Sequence, residues 1–148
     1  MKKRRLFLIA ACLWLLFIWG NSFVPSKQSS MVSTQITHAV APELKGDAVF
    51  IKTAEIRDFA HIAEFALLSG LVILGLDAGK RFWHRGLLTA AVCAAVAILD
   101  ETIQYFTPGR TARMGDVRQD FWGVLLGIAA AELFLLLLNA FDKKRHRN

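Results

Sequence analysis

Residues 86–106 read GLLTAAVCAAVAILDETIQYF, residues 107–120 TPGRTARMGDVRQD, and residues 121–141 FWGVLLGIAAAELFLLLLNAF. Two apolar runs flank one short polar connection. Each run is long enough to cross a bilayer as a helix, which satisfies its own backbone hydrogen bonds in hydrocarbon. The Pro108-Gly109 pair marks a turn between them. Asp100 and Glu101 nevertheless sit inside the border of one run and Asp120 abuts the other. Ionisable groups at such positions are costly and mark functional sites by default.

Working outward, two further apolar runs cover about residues 6–24 and 59–78. The prediction is an all-α polytopic membrane protein, a four-transmembrane-helix bundle in a single domain over residues 1–148, with an outer loop at 25–56. Within that loop Met31, Val32, Ile36, Ala39 and Val40 recur at helical intervals among polar residues, the pattern of a short amphipathic segment lying on the membrane or capping the bundle. With 55 % apolar and 20 % charged residues, the chain is too apolar for an ordinary soluble domain of this size. The net charge of +6 comes from basic residues that flank the spans, which argues for topology signals and against a nucleic-acid partner. Cys12 and Cys93 lie inside apolar runs and read as small buried hydrophobes, and no paired-cysteine metal spacing exists.

The first run follows Lys2-Lys3-Arg4-Arg5 and so resembles a signal peptide, but the segment after it lacks a small-x-small cleavage pair and the run is rich in Trp and Phe, so it reads as a retained helix. Four crossings put both termini on one side. Eleven basic residues fall on that side, including Lys80, Arg81 and Arg85 in the middle loop, against seven on the other, which predicts cytoplasmic termini in a bacterial plasma membrane.

Arg57, His61 and Glu64 are spaced i, i+4, i+7 and share one face of the second membrane helix. Glu64 lies roughly 10 Å below Arg57 along the axis, and Asp100 lies about 9 Å below Phe106, so these acids reach similar depth. They meet if the helices pack together. Arg110 follows the turn at the lip of this region. Asp116 and Gln119 have the spacing of a capping box before the fourth helix, which would put Asp120 in its first turn. Gly123, Gly127 and Ala131 recur every four residues, a ridge that admits a close helix neighbour. Glu132 lies near the middle of the fourth run with no partner readable from the sequence, and Asp77 with Lys80 reads as an interfacial pair.

Four readings fit the polar set. His61, Glu64, Asp100 and Glu101 carry metal-ligand atoms, although HxxE is a weak pattern. The same four suit acid–base chemistry on a lipid-linked substrate, because adjacent acids in a low-dielectric pocket push one pKa upward. Arg57, Arg110 and Arg118 suit the binding of phosphate or carboxylate groups without chemistry. The structural alternative is an ion-pair network that locks the bundle.

The run DETIQYFTPGRTARMGDVRQDFWGVLLG resembles the central signature of VanZ-like membrane proteins, through Asp100, Glu101, Gln104, Pro108, Gly109, Arg110, Asp116, Val117, Asp120, Gly123 and Gly127. The run RDFAHIAEF resembles the family's other motif through Arg57, His61 and Glu64, with Asp58 where Lys is usual and Phe65 where Tyr is usual. The stretch NSFVPSKQSSMVS resembles the family's segment after its first helix. The resemblance implies an association with resistance to teicoplanin, a lipid-tailed glycopeptide antibiotic that acts outside the membrane. Taken together, the expectation is a pocket open to the exterior, with His61, Glu64, Asp100 and Glu101 as candidate catalytic or metal-binding residues and Arg57, Gln104, Arg110, Asp116 and Asp120 as ligand-binding residues. Its partners would be membrane lipids and a lipid-linked or amphiphilic envelope molecule. No cofactor is assigned from the sequence.

Overall fold

The computed structural model describes residues 2–76, 81–110 and 114–145. Every regular element among them is an α-helix: α1 (Lys2–Ser22), α2 (Ser26–Val40), α3 (Asp47–Gly75), α4 (Phe82–Phe106) and α5 (Met114–Arg145). All but α2 are long and apolar enough to cross a bilayer. The chain is therefore an all-α, multi-pass membrane protein. Asp77, Lys80 and Arg113 lie outside the described residues.

Prolines and glycines set the helix ends. Pro25 disfavours helical backbone in the residue before it, and α1 stops three residues earlier. Ala41, the residue before Pro42, is likewise non-helical at φ −140° and ψ 68°, and closes α2. Gly46 precedes α3 at φ +60°, a backbone open to glycine at no steric cost. Thr107 is extended before Pro108, Gly109 takes φ +74°, and the Arg110 amide donates to Thr107 O at 3.1 Å. That is a type II turn, and it fixes where Arg110 points.

Two elements differ from the sequence reading. The stretch 25–56 is not one loop: it contains α2, a short connection and the first turns of α3, which begins at Asp47 rather than near Phe59. The charges at 47–58 masked a helix whose Val49, Phe50, Ile51 and Ile56 continue the apolar pattern. α2 docks back on α3 through Thr37 and Thr53, whose hydroxyls are 2.9 Å apart. The fourth membrane helix also starts early, at Met114, so Asp116 lies in its first turn and Asp120 beyond it. The capping box of Asp116 and Gln119 is overturned, and with it the placement of Asp120 at the positive end of the helix dipole, because both residues fall inside helix that has already begun.

α3 is the hub and packs against all four other helices. Its tightest neighbour is α5. A methyl group placed on Gly123 would run into Ile62 O, and one on Gly127 into Ala66 O and Ser69 Oγ. The small-residue ridge thus lets α5 lie directly against the α3 backbone. Ser69 Oγ, 3.1 Å from both Ala66 O and Val124 O, ties the two helices at this point. Around the seam, Ala11 and Ile18 of α1, Phe65 and Leu68 of α3, Cys93, Val96 and Ala97 of α4 and Val124 of α5 form one core cluster. Phe65, which replaces the usual Tyr, is fully buried there. Cys93 is buried as expected, whereas Cys12 sits on the outer face of α1 and is exposed. Most large apolar side chains of α1 and α5 also point outward, which is what hydrocarbon would cover.

Glu132 has a partner that the sequence did not reveal. Arg85, in the first turn of α4, donates Nε to Glu132 Oε1 at 3.1 Å and Nη2 to Glu132 Oε2. Both side chains are buried. Arg85 is therefore a bundle residue rather than a loop charge, and the fork geometry satisfies both carboxylate oxygens.

Two outcomes follow for stability in detergent. Gly127→Ala should lower the thermal unfolding midpoint, by the roughly 1–3 kcal/mol typical of overpacking, while Gly20→Ala, with open space around it, should not. Glu132→Gln should cost roughly 3–5 kcal/mol by leaving the Arg85 cation buried and unpaired, and Arg85→Met combined with Glu132→Leu should recover most of that loss.

Candidate functional site

The α4–α5 turn meets the C-terminal end of α1 and one face of α3. The last carbonyls of a helix lack intrahelical partners, and at the end of α1 other elements supply them. Arg110 donates Nη2 to Asn21 O at 3.0 Å and Nε to Val24 O at 3.1 Å. Thr107 Oγ1 donates to Ser22 O at 3.0 Å. A guanidinium here also complements the negative end of the α1 dipole. The Arg110 guanidinium lies below its ordinary pKa because of burial and then of Arg57, opposed by Asp100, Glu101 and Glu64.

From Arg110 a hydrogen-bonded chain runs inward. Its Nη1 donates to Gln104 Oε1 at 3.0 Å, and Gln104 Nε2 donates to Asp100 Oδ2 at 2.8 Å. Ser22 Oγ donates to Asp100 Oδ1 at 2.6 Å. Gln104 is one helical turn from Asp100, so both face the same way on α4. Asp100, at 1 % exposure, is held by one donor on each oxygen.

A second group comes from α3 and α5. His61 Nδ1 lies 3.0 Å from Asp120 Oδ1. With Asp120 ionised, Nδ1 carries the ring proton and Nε2 is the free acceptor. Asp120 is fully buried, and its other oxygen, Oδ2, has no hydrogen-bond partner among the described residues. Glu64, one turn further along α3, accepts from Asn21 Nδ2 at 3.2 Å, while its backbone carbonyl takes Trp14 Nε1 at 2.9 Å. His61, Asp100 and Asp120 each place a ligand-type atom within 4.8 Å of the others. Three helices therefore converge, and the compact trio contains Asp120 in place of the Glu64 and Glu101 named from the sequence. Glu101 is buried on α4 and is not among the residues lining the cavities described next.

A cavity of about 390 Å³ opens over this cluster. Part of its lining is apolar, from Phe17, Val32, Ile36 and Ile56. The rest includes the polar side chains of Asn21, Ser22, Arg57, His61, Glu64, Gln104 and Arg110. A smaller polar hollow of about 180 Å³ shares Arg57, His61, Gln104 and Arg110 with it and adds Asp58 and Asp116. Arg57 lines both spaces and forms no hydrogen bond or ion pair with any described residue. Arg118 is exposed and lines neither. Asn21 and Ser22 open the stretch NSFVPSKQSSMVS, but the sequence reading gave them no role in the site. Their signal was a polar pair closing an otherwise apolar helix just before Pro25.

No curated protein and no solved structure matches the chain. The family model described as VanZ/LLP1 matches residues 7–137, which take in α2, α3 and α4, most of α1 and α5, and every residue of the cluster. The chain belongs to the VanZ/LLP1 family.

Proposed function

We propose that this protein binds an amphiphile of the cell envelope, apolar portion against α2 and anionic head against Arg57 and Arg110. The observation that carries this reading is the Arg57 guanidinium, without an ion-pair partner among the described residues, in a cavity that apolar side chains also line. Guanidinium forks pair with carboxylate and phosphate in two parallel bonds, so an anionic head is the chemistry Arg57 selects. α2 contributes Val32 and Ile36 to the lining, and these two with Met31 and Val40 are exposed apolar side chains, as on an interfacial helix. A membrane lipid or lipid-linked envelope precursor meets both requirements, as does a lipid-tailed glycopeptide with its carboxylate. The pocket faces the exterior of a bacterial plasma membrane with both termini cytoplasmic, and its occupancy lowers susceptibility to teicoplanin-type antibiotics. The excess of basic residues at the opposite end of the bundle supports that orientation. It persists when Arg85, a buried residue, is set aside.

A second reading, an enzyme acting on the bound head group, draws on the His61–Asp120 pair at the cavity edge. A carboxylate that fixes the tautomer of an imidazole prepares its free nitrogen as a base.

The two are separated with dodecyl phosphate as the probe. The purified chain in a neutral maltoside should bind it more tightly than dodecyl trimethylammonium, and Arg57→Gln should weaken binding roughly tenfold or more. Unchanged affinity in a folded Arg57→Gln chain removes the binding reading. Mass spectrometry of envelope lipids from cells with wild type and with His61→Ala should show no species made only by wild type, and such a species would establish the enzyme. In cells, the chain should raise the teicoplanin concentration needed for killing, and an equally abundant Arg57→Gln chain should not.

Orientation has its own measurement. An impermeant thiol reagent should label Lys45→Cys in intact cells and leave Arg147→Cys unlabelled, in a chain with Cys12 and Cys93 replaced by Ser. The reverse pattern would place the cavity in the cytoplasm.

A further inference from the structure

We infer that His61, Asp100 and Asp120 form a binding site for one divalent transition-metal ion, Zn²⁺ or Mn²⁺. The three residues come from α3, α4 and α5, and their ligand-type atoms lie within 4.8 Å of one another. Donors around a bound ion of this kind stand roughly 3–3.5 Å apart, since each sits about 2.0–2.2 Å from it. Only a small inward movement is needed to close the set.

Three features separate this group from an ion pair that merely locks helices. The first is charge. Asp100 and Asp120 are 1 % and 0 % exposed, and a carboxylate oxygen of each lies within 4.8 Å of the other and of the same imidazole, so two buried carboxylates face each other at close range. A divalent cation balances both carboxylates. The second is the Oδ2 atom of Asp120, which is buried and has no hydrogen-bond partner among the described residues. Buried carboxylate oxygens are normally satisfied, and an orphan beside two other ligand-type atoms points to an ion. The third is the support behind Asp100. Ser22 and Gln104 each donate to one of its oxygens, and Arg110 in turn holds Gln104. Hydrogen bonds of this sort orient a carboxylate for a metal, because each oxygen keeps a second lone pair.

One nitrogen and two carboxylates favour Zn²⁺ or Mn²⁺ over Ca²⁺ and Mg²⁺, which prefer all-oxygen sets. Three protein ligands also leave a coordination position open, and His61 lines the cavity. The ion would therefore face whatever the cavity holds. The inference stands whether or not that molecule is an amphiphile, so it is tested with no amphiphile added.

The full chain, purified without a polyhistidine tag and stripped with EDTA, is titrated with ZnCl₂ and with MnCl₂ by calorimetry. The metal retained after desalting is counted by mass spectrometry. One equivalent per chain is expected, with loss of roughly tenfold to a hundredfold in affinity for Asp120→Asn and for His61→Gln. Glu43→Gln, an exposed acid in the α2–α3 connection, should keep wild-type affinity. Because a ligand variant can fail to fold, the wild-type fold carries a second readout. Pulsed electron paramagnetic resonance of the Mn²⁺-loaded chain should show coupling to one imidazole nitrogen, and the coupling should persist when His38, His84 and His146 are replaced together by Gln. Substoichiometric metal, equal affinity across folded variants, or absence of nitrogen coupling from His61 would overturn the site.

Discussion

The close approach of α5 to α3 is the contact on which the rest of the arrangement depends. At Gly123 and Gly127 no side chain stands between the two backbones, and carbonyls of Ile62 and Ala66 occupy the space a Cβ would need. One turn before Gly123 along α5 lies Asp120, and one turn before Phe65 along α3 lies His61. With the backbones in contact at the glycines, the imidazole and the carboxylate are brought to hydrogen-bonding distance. A larger residue in the seam would separate them by about the thickness of a side chain, well beyond the reach of either group. The packing residues and the polar residues of this region are thus one device: the glycines set the separation and the ionisable groups use it.

Much of this was legible in the chain itself. The apolar runs fixed the four membrane helices, and the i, i+4, i+7 spacing fixed the common face of Arg57, His61 and Glu64. The small-residue ridge indicated a close neighbour without saying which helix it was. What sequence could not supply was register between helices. His61 pairs with Asp120 rather than with Asp100 or Glu101 because of where α5 sits along α3, and no local spacing encodes that. The start of α5 was misplaced because Asp116 and Gln119 mimic a cap, and a cap motif is indistinguishable from two polar residues on a helix already under way. The start of α3 was missed because five charges between 47 and 58 look like loop, yet a membrane helix that projects beyond hydrocarbon is free to carry them.

Arg85 shows the same limitation from the other side. Counted as a loop charge, it is one more basic residue near a membrane face. Placed on the first turn of α4, it answers the question of how Glu132 tolerates its depth. Each was ambiguous alone because a buried charge has no local signature of its partner, and the two are 47 residues apart.

The two polar systems of the bundle differ in a way that separates scaffold from site. At Arg85–Glu132 both carboxylate oxygens meet a donor of the same guanidinium, the pair is closed, and nothing is left to engage a ligand. At the other end the network is extensive but not closed. Asp100 is satisfied twice and Arg110 is spent on backbone carbonyls and Gln104, so these hold the architecture of the rim. Among the described residues Arg57 has no ion-pair partner and one buried oxygen of Asp120 has no donor, and His61 borders open space. A network built only to lock helices gains nothing from leaving these groups unmatched, since each carries an uncompensated desolvation cost in a low-dielectric setting. The unmatched groups are also neighbours, and all lie at the cavity or directly behind it. Their coincidence in one place, rather than the presence of charge inside the bundle as such, is what supports the function proposed for this end of the molecule.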